Sequence, residues 1–167
     1  MIGIGRAYSL TFTAVAITAV QDLFYVKPAA DKICVIEAVY LSNVGGTADA
    51  GDAQEELLRV ECNRLPATVT VGSGGSASAT GTLNPLAVND AAAGFTGRTN
   101  DTTPATTSGT ARTLHADGWN IRVPYVWLPP PEHRLLVANA EAIVFKLNTA
   151  PNDSVTCSGT MIVRELP

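Results

Sequence analysis

Apolar and polar residues alternate with a period of two along most of the chain, which is the pattern of half-buried strands. From Trp119 to Trp127 the odd positions are large and apolar (Trp119, Ile121, Val123, Tyr125, Trp127), with Asn120 and Arg122 between them. Leu58-Arg59-Val60-Glu61-Cys62-Asn63 alternates in the same way, as do the segments 143–148 and 155–158. Leu10-Thr11-Phe12-Thr13 begins in phase and loses it in Ala14-Val15-Ala16-Ile17, so a bulge or burial on both faces is expected there. Ile33 to Leu41 is a nearly continuous apolar run rich in β-branched residues, with Glu37 inside it, and reads as a central strand.

Together these patterns predict strands over 7–17, 22–27, 32–43, 57–65, 67–72, 112–116, 118–128, 134–138, 141–149 and 154–165, with some merging to eight or nine. Helix signals are confined to one turn near Asp52-Ala53-Gln54-Glu55. Pro129-Pro130-Pro131 interrupts any hydrogen-bonded ladder. Many short strands with Gly- and Pro-rich connections predict an all-β fold, a single β-sandwich over residues 1–167, with a jelly roll as first choice.

The segment 66–112 differs in kind, being mostly Ala, Gly, Ser, Thr, Asn and Asp. It reads either as a linker between half-domains or as a long irregular excursion from one sandwich, anchored by Val69, Val71, Leu83, Leu86 and Phe95. The second is preferred, because too few strands flank it to build two cores.

Composition narrows the function classes. The 167 residues carry 11 Lys+Arg and 15 Asp+Glu, a formal charge of −4, which argues against a nucleic-acid binder. No apolar run approaches the length of a membrane span, and no targeting segment is expected. Cys34, Cys62 and Cys157 have no metal-ligand spacing and read as small buried hydrophobes. His115 and His133 stand at no ligand spacing from them, and no cofactor or metal is expected.

Candidate chemistry is thin. Gly72-Ser73-Gly74-Gly75-Ser76 lacks the Lys and helix of a phosphate cradle. His115 and Asp117, two apart on a strand, could share a face as a fragment of a hydrolytic site, but no catalytic residue is assigned. Asp49, Asp52, Glu55 and Glu56 form an acidic cluster that fits a solvated turn better than a calcium loop. Trp119 with Asp117 and Asn120 is the group to examine for glycan binding, and Trp127, beside the prolines, is a candidate interface anchor.

Several segments in order carry a resemblance: Tyr8-Ser9-Leu10-Thr11-Phe12-Thr13-Ala14-Val15 with Gln21-Asp22-Leu23-Phe24, then Ala53 to Val60, Ala92 to Thr96, Asp117 to Val123, and Ala150 to Thr160. Their succession resembles small virion proteins of tailed bacteriophages. The resemblance implies an all-β, non-enzymatic head decoration (cement) protein. Such a protein would be a homotrimer on the outer surface of the virion, bound to the major capsid protein, with no nucleic-acid or membrane partner. Met1, Ile2, Ile4 and Arg6 in an N-terminal arm (1–6), and Val69, Val71 and Phe95 in the excursion, are then candidate capsid contacts, being poor in charge to desolvate. Glu55, Glu56, Arg59 and Trp127 are candidate subunit contacts. The alternative is a tail-fibre or baseplate sandwich that binds a host glycan.

Overall fold

In a computed structural model describing residues 5–44, 56–77 and 83–167, the alternating segments form antiparallel strands. These are β1 (Arg6–Ile17), β2 (Gln21–Lys27), β3 (Ile33–Asn43), β4 (Leu57–Leu65), β5 (Val69–Thr70), β6 (Ser76–Ala77), β7 (Leu83–Pro85) and β8 (Thr96–Asp101). They continue with β9 (Thr106–Thr107), β10 (Arg112–Asn120), β11 (Tyr125–Trp127), β12 (Leu135–Val137), β13 (Ala142–Leu147) and β14 (Val155–Leu166).

Two six-stranded sheets pack face to face. The first runs β11-β3-β14-β1-β7, with β12 lying end to end with β11 along the same side of β3. The second runs β10-β4-β13-β2-β8-β6, and β5 and β9 form a separate small ribbon. Consecutive long strands alternate between sheets: β1 pairs with β14, β2 with β13, β3 with β11 and β12, and β4 with β10. A long hairpin, folded at the segment between β4 and β10 and rolled up on itself, has this strand order.

The shared core lies between the sheets. Leu10, Phe12, Leu58, Val60, Cys62, Phe145, Leu147, Val155 and Val163 are buried, as the alternation predicts. Every second residue of β14 from Val155 to Glu165 points inward. The phase change in β1 is a bulge: the register against β14 shifts between Phe12 and Val15, and Ala14 takes φ 50°. The Ala14 N–H, displaced from the ladder, donates to Ser158 Oγ at 2.9 Å.

Three expectations need correction. The predicted strand 118–128 is two strands in different sheets. β10 ends at Asn120, whose carbonyl and side chain accept bonds from Val123 N and Arg122 N. Pro124 cannot donate to a ladder, and the turn carries the chain from the second sheet to the first. Ile121 is therefore only half-buried and Val123 is 56% exposed, although the alternation places both on the apolar face. Next, 67–72 contributes only the two residues of β5. Arg6 is the first residue of β1 rather than part of an arm; Met1, Ile2 and Ile4 lie outside the described residues.

The segment 66–112 is a largely irregular excursion from the sandwich that also contributes short strands. β7 extends the first sheet beyond β1, and β8 with β6 extends the second beyond β2. The ribbon of β5 and β9 lies on the outer face of the second sheet, where Val69 and Ala105 pack on Tyr25, Leu65, Ala142 and Val144. That cover explains why β2 is buried on both faces from Gln21 to Val26. Phe95 is corrected most sharply. It is 4% exposed, set edge-on to Tyr8 at 5.5 Å, and belongs to the core rather than to a surface a partner could meet.

Candidate interaction surface

Several buried or half-buried charged groups hold the excursion in place. Asp22 of β2 and Asp101 of β8 are register partners on adjacent strands. Asp22 Oδ2 accepts the Ala105 N–H at 2.7 Å. Asp101 accepts the Gly75 N–H at 3.1 Å and both arms of the Arg98 guanidinium at 2.7 Å. Burial pushes the Asp22 carboxyl up to about 6, with the Asp101 charge adding to the rise while the Ala105 bond and Lys146 oppose it. At the other end of the sandwich, Glu165 accepts the Gly94 N–H at 2.6 Å and the Tyr8 hydroxyl donates to Ala91 O at 3.0 Å. A third cluster sits on the first sheet, where the bulged Glu37 accepts bonds from Arg134 and Arg164 at 2.8–3.0 Å. Sequence reading missed these three tethers. Glu37 inside an apolar run was a visible signal; Asp22 and Asp101 became meaningful only once β2 and β8 were paired.

The two outer faces of the sandwich differ. The excursion covers that of the second sheet around Tyr25, Leu65, Ala142 and Val144, leaving Leu57 and Arg59 exposed. That of the first has no such cover among the described residues, and a single row crosses four of its strands: Thr11, Thr160, Tyr40 and Val126 are successive register partners. Beside the row, Thr13, Ser42 and Ser158 line a shallow depression of about 360 Å³ with Pro124. Its lining is free of charged residues, so a partner would displace water from hydroxyls and apolar groups rather than from ions. A second, more polar depression of about 610 Å³ lies where the β1 bulge meets β6 and β8, lined in part by Thr11, Thr13, Gln21, Ser76, Asn100 and Thr102.

The predicted site residues are scattered. Arg6 is half-exposed, 3.9 Å from Asp90. Val71 is 47% exposed, whereas Val69 packs on the second sheet of its own chain. Glu55 lies outside the described residues. Glu56 is corrected: it is buried and its Oε1 accepts the Asn152 N–H at 2.5 Å, so it pins a loop of its own chain rather than facing a neighbour. Arg59 is exposed and pairs with Glu61 at 3.1 Å. Trp127 is half-buried and stacks on His115 at 5.1 Å.

His115 and Asp117 do not form a hydrolytic pair. The His115 ring bonds to the Tyr125 hydroxyl at 2.9 Å, while Asp117 accepts the N–H of Gly118. Trp119 is 1% exposed and donates to Val123 O, so it offers no stacking platform to a sugar. Burial pushes the thiols of Cys34, Cys62 and Cys157 up to about 12. Among the described residues no group of three His, Cys, Asp or Glu could hold a metal ion, and no helix is long and apolar enough to cross a membrane. No family model, curated protein or solved structure matches this chain.

Proposed function

We propose that the protein is a non-enzymatic structural component of a bacteriophage virion that decorates the capsid and stabilises it by binding the major capsid protein on its outer surface. The observation that carries the proposal is the contrast between the two outer faces. One is covered over part of its area by the chain's own excursion; the other presents the uncharged row Thr11, Thr160, Tyr40 and Val126. Such a face docks with little cost of desolvating charge, and many weak contacts add up when many copies bind one shell. The strand order supports the class. Neighbours β1-β14-β3-β11/β12 and β2-β13-β4-β10 are compatible with a jelly roll, an architecture that recurs in viral capsid and lectin domains. Fold alone does not assign function, so the face carries the argument.

The test uses particles assembled without the protein. These should have normal geometry but release DNA at a lower temperature than complete particles. Adding back the chain should restore heat resistance, and adding back Thr160→Arg, which sets a charge in the middle of the row, should not. Unchanged heat resistance in the depleted particles would overturn the proposal.

The depression between β1 and β8 favours a second reading, a fibre or baseplate module that binds a neutral host glycan, because hydroxyls and the amides of Gln21 and Asn100 line it. In that case depleted particles keep their heat resistance and fail to adsorb to cells.

A further inference from the structure

The two sides of the sandwich end differently. On the side of β1 and β2 both sheets finish in very short strands, β7 with three residues and β6 with two. Short edge strands offer little backbone for another chain to pair with. On the opposite side the second sheet finishes in β10, a nine-residue strand with no strand along its outer edge among the described residues. Arg112, Thr113, Leu114, Ala116, Asp117 and Gly118 are all exposed along it.

The charges and the register of β10 point to its partner. Against β4 the ladder runs Arg112, Thr113, His115, Ala116, Asp117, and Leu114 is the extra residue of a bulge. With Leu114 set aside, Arg112, His115 and Asp117 face the inner side, because their partners Arg64, Cys62 and Val60 alternate on that face of β4. Thr113 and Ala116 face outward. A second β10 laid antiparallel with His115 on the two-fold axis keeps every pair on a matching face. Arg112 then stands opposite Asp117 of the second copy, and Thr113 opposite Ala116. Opposite charges across an antiparallel pair are favourable, and any other centre loses both coincidences. The His115 ring is already held by Tyr125, so only backbone is needed at the axis.

We infer that β10 is a self-pairing edge: two copies of this chain join through antiparallel β10 strands, centred on His115, into one continuous sheet. The contact is isologous and closes at two copies. It is therefore two-fold rather than the three-fold order that the virion-protein resemblance implies. It is also separate from the capsid-facing row on the other sheet, and does not depend on it.

Light scattering on the isolated chain at tens of micromolar should give the mass of two chains. Arg112→Asp and Asp117→Arg should each weaken dimerisation at least tenfold, by setting like charges opposite one another. The double variant R112D/D117R restores the opposite charges and should recover the dimer. A monomer, a three-chain mass, or single variants that dimerise like the unaltered chain would overturn the inference. Should a charge variant fail to fold, Thr113→Cys with Ala116→Cys decides the matter. Mild oxidation should link those copies covalently at the opposed positions, and the absence of a linked dimer counts against the pairing.

Discussion

The aromatic ring of Phe12 in β1 lies directly over Gly159 in β14. A methyl group at Gly159 would fall 2.6 Å from Phe12 Cε1 and 2.9 Å from a methyl of Leu41. Gly159 occupies an inward position of β14 and is the register partner of both Phe12 and Leu41. The missing side chain is the space into which the neighbouring strands' side chains fold. Gly159→Ala should therefore overpack the core and cost about 1–3 kcal/mol, read as a lower urea midpoint with an unchanged m-value.

Phe145 is fully buried at the centre of the core, with the rings of Tyr125 and Trp127 at 5.9 and 6.4 Å. Its truncation to Ala should destabilise the fold by about 3–5 kcal/mol. A loss under 1 kcal/mol in equilibrium unfolding would contradict that placement.

Asp22 gives the fold a specific pH dependence. Its ordinary value of 3.8 is pushed up to about 6 by burial, so between those limits the folded chain holds a proton that the unfolded chain releases. Stability from this group is greatest below about pH 4, falls as pH rises through the window, and levels off above about pH 6. The full change is about 3 kcal/mol at most. Denaturation curves at pH 4.5 and 7 should show the decline (conditions chosen inside and beyond the window, about 2 kcal/mol apart at most), and Asp22→Asn should flatten it.

Asp101 joins Arg98 and the Gly75 N–H, so it ties the 72–76 loop to the second sheet. Asp101→Asn should leave the buried end of Arg98 without its counter-charge and cost on the order of 3 kcal/mol. Limited proteolysis should then cut the 66–77 and 102–109 segments early, while the two main sheets persist. Cleavage at the rate of the unaltered chain would show that the tether is dispensable.

The three thiols are buried and held protonated by that burial. An alkylating reagent at pH 8 should label none of them within minutes in the native protein and all of them in denaturant. Rapid native labelling of Cys157 would mean that the end of β14 opens readily.

Period-two alternation determined the long strands and most of the core, because the side-chain period of a strand is written directly into adjacent residues. The Phe12-to-Val15 bulge was legible for the same reason, as a break of phase within four residues. Turn chemistry at Asn120 and Pro124 was present in the sequence, but an unbroken run of apolar odd positions concealed it. Whether Ile121 and Val123 stay in one sheet is decided by where β3 offers its edge to β11. The small-residue segment 66–112 carried no period at all. Its strands exist because the edges of β1 and β2 supply the backbone partners, and its Phe95 is buried because Tyr8 stands across from it. Asp22 and Asp101, far apart in the chain, meet only when β2 and β8 pair. The same holds for the uncharged row across the first sheet, since Thr11, Tyr40, Val126 and Thr160 share a face through register alone. Local alternation fixes which face of a strand is apolar; only long-range pairing fixes what that face, and the strand's edge, will meet.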